Sequence, residues 1–321
     1  MAEQIKQSEN SIEIVGTVKE INMSPAGIEK RVLNKKKGIE VDCNLLKKTE
    51  FKNPAFTVTV NGKDIPIEIS RFGIKEKKVG KDDAVVDNAL YTSLVNLKKG
   101  ERVVVKGTLA PNEYPNKDGE WKEYNANIEA TFAVSTSNVP DEDSAKGLIS
   151  GVVAGISDEV VNEEETGRKK VRIATFDWAG NISFVNLFAP SEDGIADAIG
   201  QIYDSNDSVK IYFDADMVQH GKVETQTTAA FGKKVSTTSG YTTLEYLICG
   251  GEEPYDEESE YHVFPQQVAE AMEAKKVYIA DQCAAAIERA QGGSSSTVKG
   301  ASAGQGSNPF GENPFGSNPF A

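Results

Sequence analysis

The chain contains 321 residues, of which 39% are hydrophobic, and its formal net charge at pH 7 is −14. This length predicts more than one domain, and no apolar run reaches the length of about twenty residues that a membrane span needs. Residues 1–10 lack the hydrophobic segment of a secretory signal. Three cysteines, an odd number at unrelated spacings, favour neither a disulfide framework nor a zinc site. We therefore expect a soluble protein in a reducing cytoplasm.

The negative charge is distributed unevenly along the chain. Residues 1–140 contain 22 Lys and Arg against 20 Asp and Glu, residues 141–250 contain 9 against 18, and residues 251–321 contain 4 against 11. The second and third segments are acidic and would repel a polyanion, whereas the first segment is nearly neutral and would not. Its lysines occur as pairs and triplets, and a solvated surface is the ordinary explanation of such clusters. A binding site is favoured over a merely solvated surface where aromatic residues lie close to these lysines.

The first segment predicts five strands, with one helix between the third and the fourth. Asn61-Gly62 between two short apolar runs is typical of a type I′ hairpin, and apolar residues three and four apart over 83–97 predict the helix. Residues 24–50 and 110–122 are polar and are expected to form irregular loops. The predicted strands are residues 11–23, 56–60, 65–70, 103–109 and 124–134. This order is that of an OB-fold, a small five-stranded barrel.

The same order recurs after the acidic linker Asp141-Glu142-Asp143. Predicted strands cover 148–156, 171–178, 182–187, 209–213 and 241–249, with a helix over 195–202 and a long loop over 217–239. Residues 265–291 are rich in Ala, Glu and Lys and predict a further helix. The predicted fold is mainly β, with tandem OB-fold-like five-stranded barrels followed by a C-terminal helix and a disordered tail. The expected boundaries are 1–140 and 141–250 for the barrels, 251–292 for an acidic segment and helix, and 293–321 for the tail.

Two stretches of the first segment resemble bacterial and phage single-stranded DNA-binding proteins. Leu97-Lys-Lys-Gly-Glu-Arg-Val-Val-Val-Lys-Gly-Thr-Leu109, followed by Asn116-Lys-Asp-Gly-Glu120, is similar to their fourth strand and the loop after it. Val15-Gly16-Thr17-Val18 resembles their first strand. The match covers a minor part of the chain, and it implies an OB-fold that binds single-stranded DNA.

Single strands are held by a cationic groove and by aromatic faces on which bases stack. Tyr114, Trp121 and Tyr124 lie in or beside the predicted loop between the last two strands, a loop that OB-folds use to contact nucleic acids. Trp121 has polar neighbours and is expected to be exposed, whereas Phe56 and Phe72 are expected in the core. The candidate DNA-binding residues are Lys35, Lys36, Lys37, Lys47, Lys48, Phe51, Lys75, Lys77, Lys78, Tyr114, Lys117, Trp121, Lys122 and Tyr124.

The last fourteen residues carry the tripeptide Asn-Pro-Phe three times, at 308–310, 313–315 and 318–320. Each proline fixes φ and so lowers the entropy that is lost when the neighbouring phenylalanine binds in a pocket. The regular spacing of the copies adds avidity. The pattern predicts a partner-binding tail whose contact residues are Pro309, Phe310, Pro314, Phe315, Pro319 and Phe320.

The resemblance also bears on this tail. In bacterial single-stranded DNA-binding proteins, a disordered C-terminus that ends in acidic residues and Pro-Phe docks replication and repair proteins. Here Ala321 follows the last Pro-Phe, Glu312 is the one acidic residue of the tail, and the unit is repeated. These departures favour a dedicated partner, such as a replication or recombination protein of a phage or mobile element, which would act in the cytoplasm of the host.

Two other classes of function stay open. Asn-Pro-Phe is also the tripeptide that EH domains of eukaryotic membrane-traffic proteins bind, which would make this chain an adaptor. A β-rich structural or interaction protein without a nucleic-acid role would also fit the overall acidity. The sequence lacks phosphate-binding glycine loops, GxSxG and HExxH motifs, and His220 and His262 have no matching ligand pattern, so we predict no enzyme, no cofactor and no metal. The oligomeric state is left open, and a homo-oligomer is compatible with the sequence.

Overall fold

The computed structural model describes residues 5–34, 36–69, 78–79, 82, 84–135, 138–161, 164–227 and 235–291. The predicted fold class is confirmed, because the strands form two closed five-stranded barrels that share one ten-stranded sheet and precede a long helix. The predicted tail lies outside the described residues. None of the described helices combines the length and the apolar character that crossing a membrane requires.

The first barrel carries a hairpin arm after its first strand and a short helix before its fourth. In chain order the elements are β1 (Asn10–Ile21), β2 (Met23–Asn34), β3 (Ile39–Lys48), β4 (Phe56–Val60), β5 (Lys63–Ile69), β6 (Lys78–Val79), β7 (Val85–Val86), α1 (Ala89–Val95), β8 (Arg102–Pro115) and β9 (Trp121–Val134). The barrel closes in the order β1-β4-β5-β9-β8-β1, with β5 and β9 parallel. On β4, Phe56, Val58 and Val60 are buried and the residues between them are not, as the period of two requires.

The turn between β4 and β5 has the predicted chemistry. Asn61 and Gly62 adopt φ values of 48° and 78°, the left-handed conformation that both central residues of a type I′ turn need. Helix α1 is shorter than predicted, because Asn88 caps it by accepting a 2.8 Å hydrogen bond from the backbone N–H of Leu90. Val85 and Val86 fit a helical period in the sequence, but they lie before this cap, in β7, and are exposed.

Two regions predicted as irregular loops are hairpins. Residues 24–50 form the antiparallel β2–β3 arm, whose two-stranded sheet is separate from the barrel. Ile28, Lys30 and Val32 on one face of β2 are exposed, whereas on β3 Ile39, Val41 and Cys43 alternate with polar residues and are the less exposed side chains, a period of two that the prediction of a loop overlooked. Residues 110–122 continue β8 and β9 as a long hairpin in the same way.

The second barrel repeats the topology of the first. Its elements are β10 (Ser144–Val161), β11 (Glu164–Phe176), β12 (Ile182–Ala189), α2 (Ile195–Ile202), β13 (Ser208–Thr227) and β14 (Val235–Gly251). It closes in the order β10-β11-β12-β14-β13-β10, with β12 and β14 parallel. Helix α2 has the predicted bounds. The predicted loop over 217–239 instead consists of the extended ends of β13 and β14, apart from residues 228–234, which lie outside the described residues.

One glycine recurs at the same place in both barrels. A Cβ atom on Gly16 of β1 would lie 2.4 Å from the carbonyl oxygen of Thr59, and a Cβ atom on Gly151 of β10 would lie 2.2 Å from that of Ala174. Each first strand therefore passes so close to its neighbour that only glycine is accommodated. This shared requirement supports the repeat predicted from the sequence.

The barrels meet through their first strands. β1 pairs with β10 in antiparallel register, so that Ile12 lies opposite Gly147. One row across β8, β1, β10 and β13 places alternating charges side by side, in the order Lys106, Glu13, Lys146 and Asp214. Cross-strand pairs of opposite charge stabilise a sheet by about 0.2–1 kcal/mol each. The junction is therefore a continuous sheet with balanced charges on this row.

Helix α3 (Pro265–Gln291), which has the predicted bounds, packs on the second barrel and on the β8–β9 hairpin of the first. Val268 and Met272 contact a small core that contains Phe176 and Ile182. The 27-residue helix is mostly polar, and so this packing, rather than its own composition, fixes where it lies.

A buried lysine connects α3 to both barrels. The side chain of Lys275 is 4% exposed, and its Nζ donates a 2.6 Å hydrogen bond to Oε1 of Glu113 on β8. The same Nζ lies 5.2 Å from the ring centroid of Phe184 on β12. A buried ammonium group requires such a partner, since an unpaired charge in the interior is strongly destabilising. Lys275 therefore holds the β8–β9 hairpin against the second barrel.

Candidate nucleic-acid interface

The β8–β9 hairpin of the first barrel ends in a well-defined turn. Oδ1 of Asn116 accepts hydrogen bonds from the backbone N–H groups of Asp118 and Glu120, at 3.0 and 2.8 Å. Gly119 supplies the left-handed residue of this turn, with a φ of 79°. The turn fixes the register of the strands on either side and with it the positions of the aromatic side chains that they carry.

Two of these side chains form an exposed aromatic pair. The rings of Tyr114 and Tyr124 stack with centroids 5.6 Å apart and planes 21° from parallel, and the residues are 36% and 51% exposed. The hydrogen bond with Tyr124, together with partial burial, raises the pKa of Tyr114 above its ordinary value. The two rings together offer a π surface on which a nucleobase could stack.

Trp121 is partly buried, and the expectation that it is exposed was wrong. Its ring meets that of Tyr278 on α3 edge to face, with centroids 6.2 Å apart, and its Nε1 donates a 3.3 Å hydrogen bond to Glu113. The residues next to Trp121 in the sequence are polar and give no sign of this contact, because its partner Tyr278 lies on the distant helix α3. Lys117 is exposed at the turn, and Nζ of Lys122 lies 2.7 Å from Glu120.

The β2–β3 arm carries a second group of predicted contacts. Lys36 and Lys37 are exposed at its turn, and Lys47 is exposed on β3. Lys48 is different, because its side chain is 7% exposed and its Nζ lies 3.0 Å from Oε1 of Glu68. Its charge is neutralised inside the protein, which contradicts a role for Lys48 as a phosphate contact. Phe51 is 41% exposed, with Nζ of Lys48 5.5 Å from its ring centroid.

Several predicted contacts fall where the structure gives no side-chain description. Lys35, Lys75 and Lys77 lie outside the described residues, and Lys78 is described only as backbone of β6. The six prolines and phenylalanines of the tail also lie outside them, as does Phe72, whereas Phe56 is in the core as predicted. The described candidates therefore form two groups, one on the β2–β3 arm and one on the β8–β9 hairpin.

The corresponding hairpins of the second barrel are joined by a buried ion network that the sequence did not predict. Arg168 on β11 lies 2.5 Å from Glu245 on β14 and 3.4 Å from Glu159 on β10, and its guanidinium carbon is 5.0 Å from the ring centroid of Phe188. Nε2 of His220 on β13 lies 2.5 Å from the other carboxylate oxygen of Glu245. We call Glu159, Arg168, His220 and Glu245 the Glu245 network.

The Glu245 network could be mistaken for a metal centre. Glu159, His220 and Glu245 bring one potential ligand atom each within 4.8 Å of the others. However, the guanidinium group of Arg168 lies against both carboxylates and supplies the positive charge that a cation would bring. We therefore assign no metal to these residues.

A further exposed aromatic residue escaped the sequence analysis. Trp178, in the turn between β11 and β12, is 75% exposed. Oδ1 of Asp177 accepts hydrogen bonds from the backbone N–H groups of Ala179 and Asn181, at 2.8 and 2.9 Å, so the turn that presents the indole is fixed. The sequence signal was the aspartate before Ala179-Gly180-Asn181, which is typical of a turn closed by its own side chain.

A comparison with protein families assigns the chain to one of them. The family model described as YorF matches residues 8–284, which include both barrels and most of α3. The chain belongs to the YorF family. No curated protein matches this YorF-family chain.

Two solved structures of the single-stranded DNA-binding protein from Thermus aquaticus are similar to this YorF-family chain. The wild-type structure has a TM-score of 0.41 and 11% identity, and the match covers 79% of this chain and 97% of the other. A deletion mutant of the same protein has a TM-score of 0.40 and 11% identity, with 79% and 98% covered.

Proposed function

We propose that this protein binds single-stranded DNA through the first barrel. The observation that carries the proposal is the stacked, exposed pair of Tyr114 and Tyr124 on the β8–β9 hairpin. That hairpin is the connection between the fourth and fifth barrel strands, which OB-folds use to hold oligonucleotides. Base stacking on such rings is tolerant of sequence because every base has a π face.

Electrostatics supports the same barrel. The β2–β3 arm is the connection between the first and second barrel strands, the other loop that OB-folds use, and it exposes Lys36, Lys37 and Lys47. In the second barrel, the guanidinium group of Arg168 forms ion pairs with two carboxylates, those of Glu159 and Glu245. The exposed lysines of the β2–β3 arm are therefore the positive charges on which the proposal rests.

Titration of the full chain with oligo-dT at several salt concentrations tests this proposal. Single-strand affinity falls with a logarithmic salt slope of about −0.7 per phosphate contact, so contacts to the three exposed lysines predict a slope of about −2. A duplex of the same length serves as the control and should bind more weakly, because its bases cannot reach the tyrosines. Absence of binding to oligo-dT at low salt would refute the proposal.

We extend the proposal to a cellular role. Binding that is independent of base sequence suits a protein that coats single-stranded DNA during replication or recombination, and the repeated tail favours a phage or mobile element as its source. The tail would recruit a replication or recombination protein through Phe310, Phe315 and Phe320. Replacing all three with alanine should leave oligo-dT affinity unchanged and abolish binding to that partner, whereas a loss of both activities would contradict separate roles.

A further inference from the structure

A cleft of about 260 Å³ lies between α3, the second barrel and the β8–β9 hairpin. Its apolar walls are formed by Ala154, Phe184, Met272 and Ile279. Pockets for drug-sized ligands have volumes of about 300–1,000 Å³, so this cleft suits a single large side chain. The proposed DNA-binding hairpins do not require it.

The rim of the cleft is mainly cationic. Arg172 lies with its guanidinium carbon 4.2 Å from the ring centroid of Phe184 and forms a 2.8 Å ion pair with Glu123. The side chain of Lys276 is 64% exposed and pairs with Glu273 one turn away on the same helix. Exposed pairs of this kind contribute little to stability, so Lys276 can exchange its partner for another carboxylate. The occupant that this chemistry selects has an apolar ring and a carboxylate close to it.

The tail contains one segment with that combination. Its three repeats read Ser-Asn-Pro-Phe, Glu-Asn-Pro-Phe and Ser-Asn-Pro-Phe, ending at Phe310, Phe315 and Phe320. Glu312, the one acidic residue after the end of α3, precedes Phe315 by three positions. The repeats thus differ only in the residue before Asn, and charge complementarity selects the middle one.

The connection to α3 is long enough for this segment to return to the cleft. Ile279 precedes the end of the helix by twelve residues, a distance of about 18 Å at 1.5 Å per residue. The chain from Gln291 to Glu312 can span up to about 70 Å when fully extended. Docking within one molecule is therefore geometrically accessible, and attachment to the same chain raises the effective concentration of the segment.

We propose that residues 312–315 dock in this cleft of their own chain, with the ring of Phe315 against Phe184 and Met272 and the carboxylate of Glu312 at Arg172 or Lys276. The repeats that end at Phe310 and Phe320 then stay available to a partner. A partner that also binds Phe315 must displace it from the cleft, so the three repeats are not equivalent.

Disulfide trapping in the full-length chain tests the docking. Cys283 lies four residues after Ile279 on the same helix face and is a free, partly buried thiol. In a Cys249→Ser background, Ser317→Cys places a second thiol two residues after Phe315. Oxidation by diamide should join Cys283 and the introduced thiol within one molecule. Phe315→Ala should slow this reaction by about tenfold, the factor that corresponds to a lost contact of 1.4 kcal/mol.

The repeats provide a matched control. Phe310→Ala in the same background should leave the trapping rate unchanged, and Glu312→Ser should slow it. Lys276→Glu should slow it as well, and Lys276→Glu combined with Glu312→Lys should restore it. Equal effects of Phe310→Ala and Phe315→Ala would overturn the proposal, as would a covalent dimer, which would make a second copy the source of the occupant. DNA takes no part in this assay, so its outcome is independent of the proposed DNA binding.

Discussion

The two barrels share one topology but use the charged and aromatic residues of their hairpins differently. In the first barrel, Lys36, Lys47 and Tyr124 face solvent. In the second, Glu245 is buried and Arg168 is partly buried, and their ion pair belongs to the network that connects the equivalent hairpins. The comparison shows that one topology can place the charged side chains of its hairpins either in solvent or in an ion network.

The largest expected effect comes from breaking the Glu245 network. Glu245→Ala removes the carboxylate shared by Arg168 and His220, and removing one partner of a buried ion pair typically costs about 3–5 kcal/mol. We expect a loss of this size in the free energy of unfolding, measured by urea denaturation. The matched control is Glu13→Ala, whose pair with Lys106 is exposed and should contribute at most about 1 kcal/mol. Equal losses in the two variants would mean that the network does not hold the second barrel.

The next largest effect concerns the aromatic residues. Tyr124→Ala should weaken oligo-dT binding by about 1–3 kcal/mol, or about 5- to 150-fold in Kd, because a stacking surface is lost. Tyr241 provides the control, since it is 57% exposed on β14, in the corresponding hairpin, but its ring stacks on His220 with centroids 5.4 Å apart. Tyr241→Ala should leave Kd unchanged. If both variants lost affinity equally, the two barrels would share the DNA and the proposed asymmetry would be wrong.

A smaller effect is expected from the lysines, and it appears in the salt dependence. Each phosphate contact contributes about −0.7 to the logarithmic salt slope, so Lys36→Ala with Lys47→Ala should make the slope shallower by about 1.4. The corresponding double variant of the second barrel is Lys169→Ala with Lys170→Ala, where Lys169 already pairs with Asp158 at 2.7 Å. That variant should keep the slope of the wild type. Anisotropy titrations from low to moderate salt measure both slopes.

The sequence predicted the barrels well because the signals of their strands and turns lie within short stretches of sequence. Alternating burial on β4 and the Asn61-Gly62 turn are encoded within a few residues, and so are the bounds of α2 and α3. The β2–β3 arm was not predicted, because β2 contains Pro25 and Gly27 and shows no alternation, so that only β3 carries the apolar period of two. A hairpin is thus predicted with ease when both of its strands alternate, and is missed when only one of them does.

The candidate site was predicted less well, because its exposure depends on contacts distant in sequence. Trp121 is covered by Tyr278, which lies 157 positions later, and Lys48 is neutralised by Glu68 on another strand. Tyr114 and Tyr124 were predicted as contacts and are exposed as a stack. The residues of the Glu245 network come from four strands, and nothing in their local sequences indicates that they meet.

The smallest predicted effect is on the stability of the fold and concerns two carboxylates of the first barrel that lie side by side. Glu68 and Glu129 lie opposite each other where β5 and β9 run parallel, whereas Phe188 and Leu247 occupy the corresponding contact between β12 and β14. Burial raises the pKa of Glu129, and the charge of Glu68 raises it further. Burial also raises the pKa of Glu68, although Lys48 opposes that shift.

Because these pKa values are higher in the folded chain than in the unfolded one, folding favours the protonated carboxyls. The resulting stabilisation is complete below the ordinary glutamate pKa of about 4.3 and is lost as the pH rises through the folded values. At pH 7 the Glu129→Gln variant should therefore unfold at a higher urea concentration than the wild type. The expected gain in the free energy of unfolding is about 1 kcal/mol or less. This gain should shrink towards pH 4. Glu20→Gln, at an exposed position of β1, controls for the loss of one negative charge. A gain that is the same at both pH values would mean that the two carboxylates do not repel each other, and the first barrel would then tolerate this pair as well as the second tolerates its apolar one.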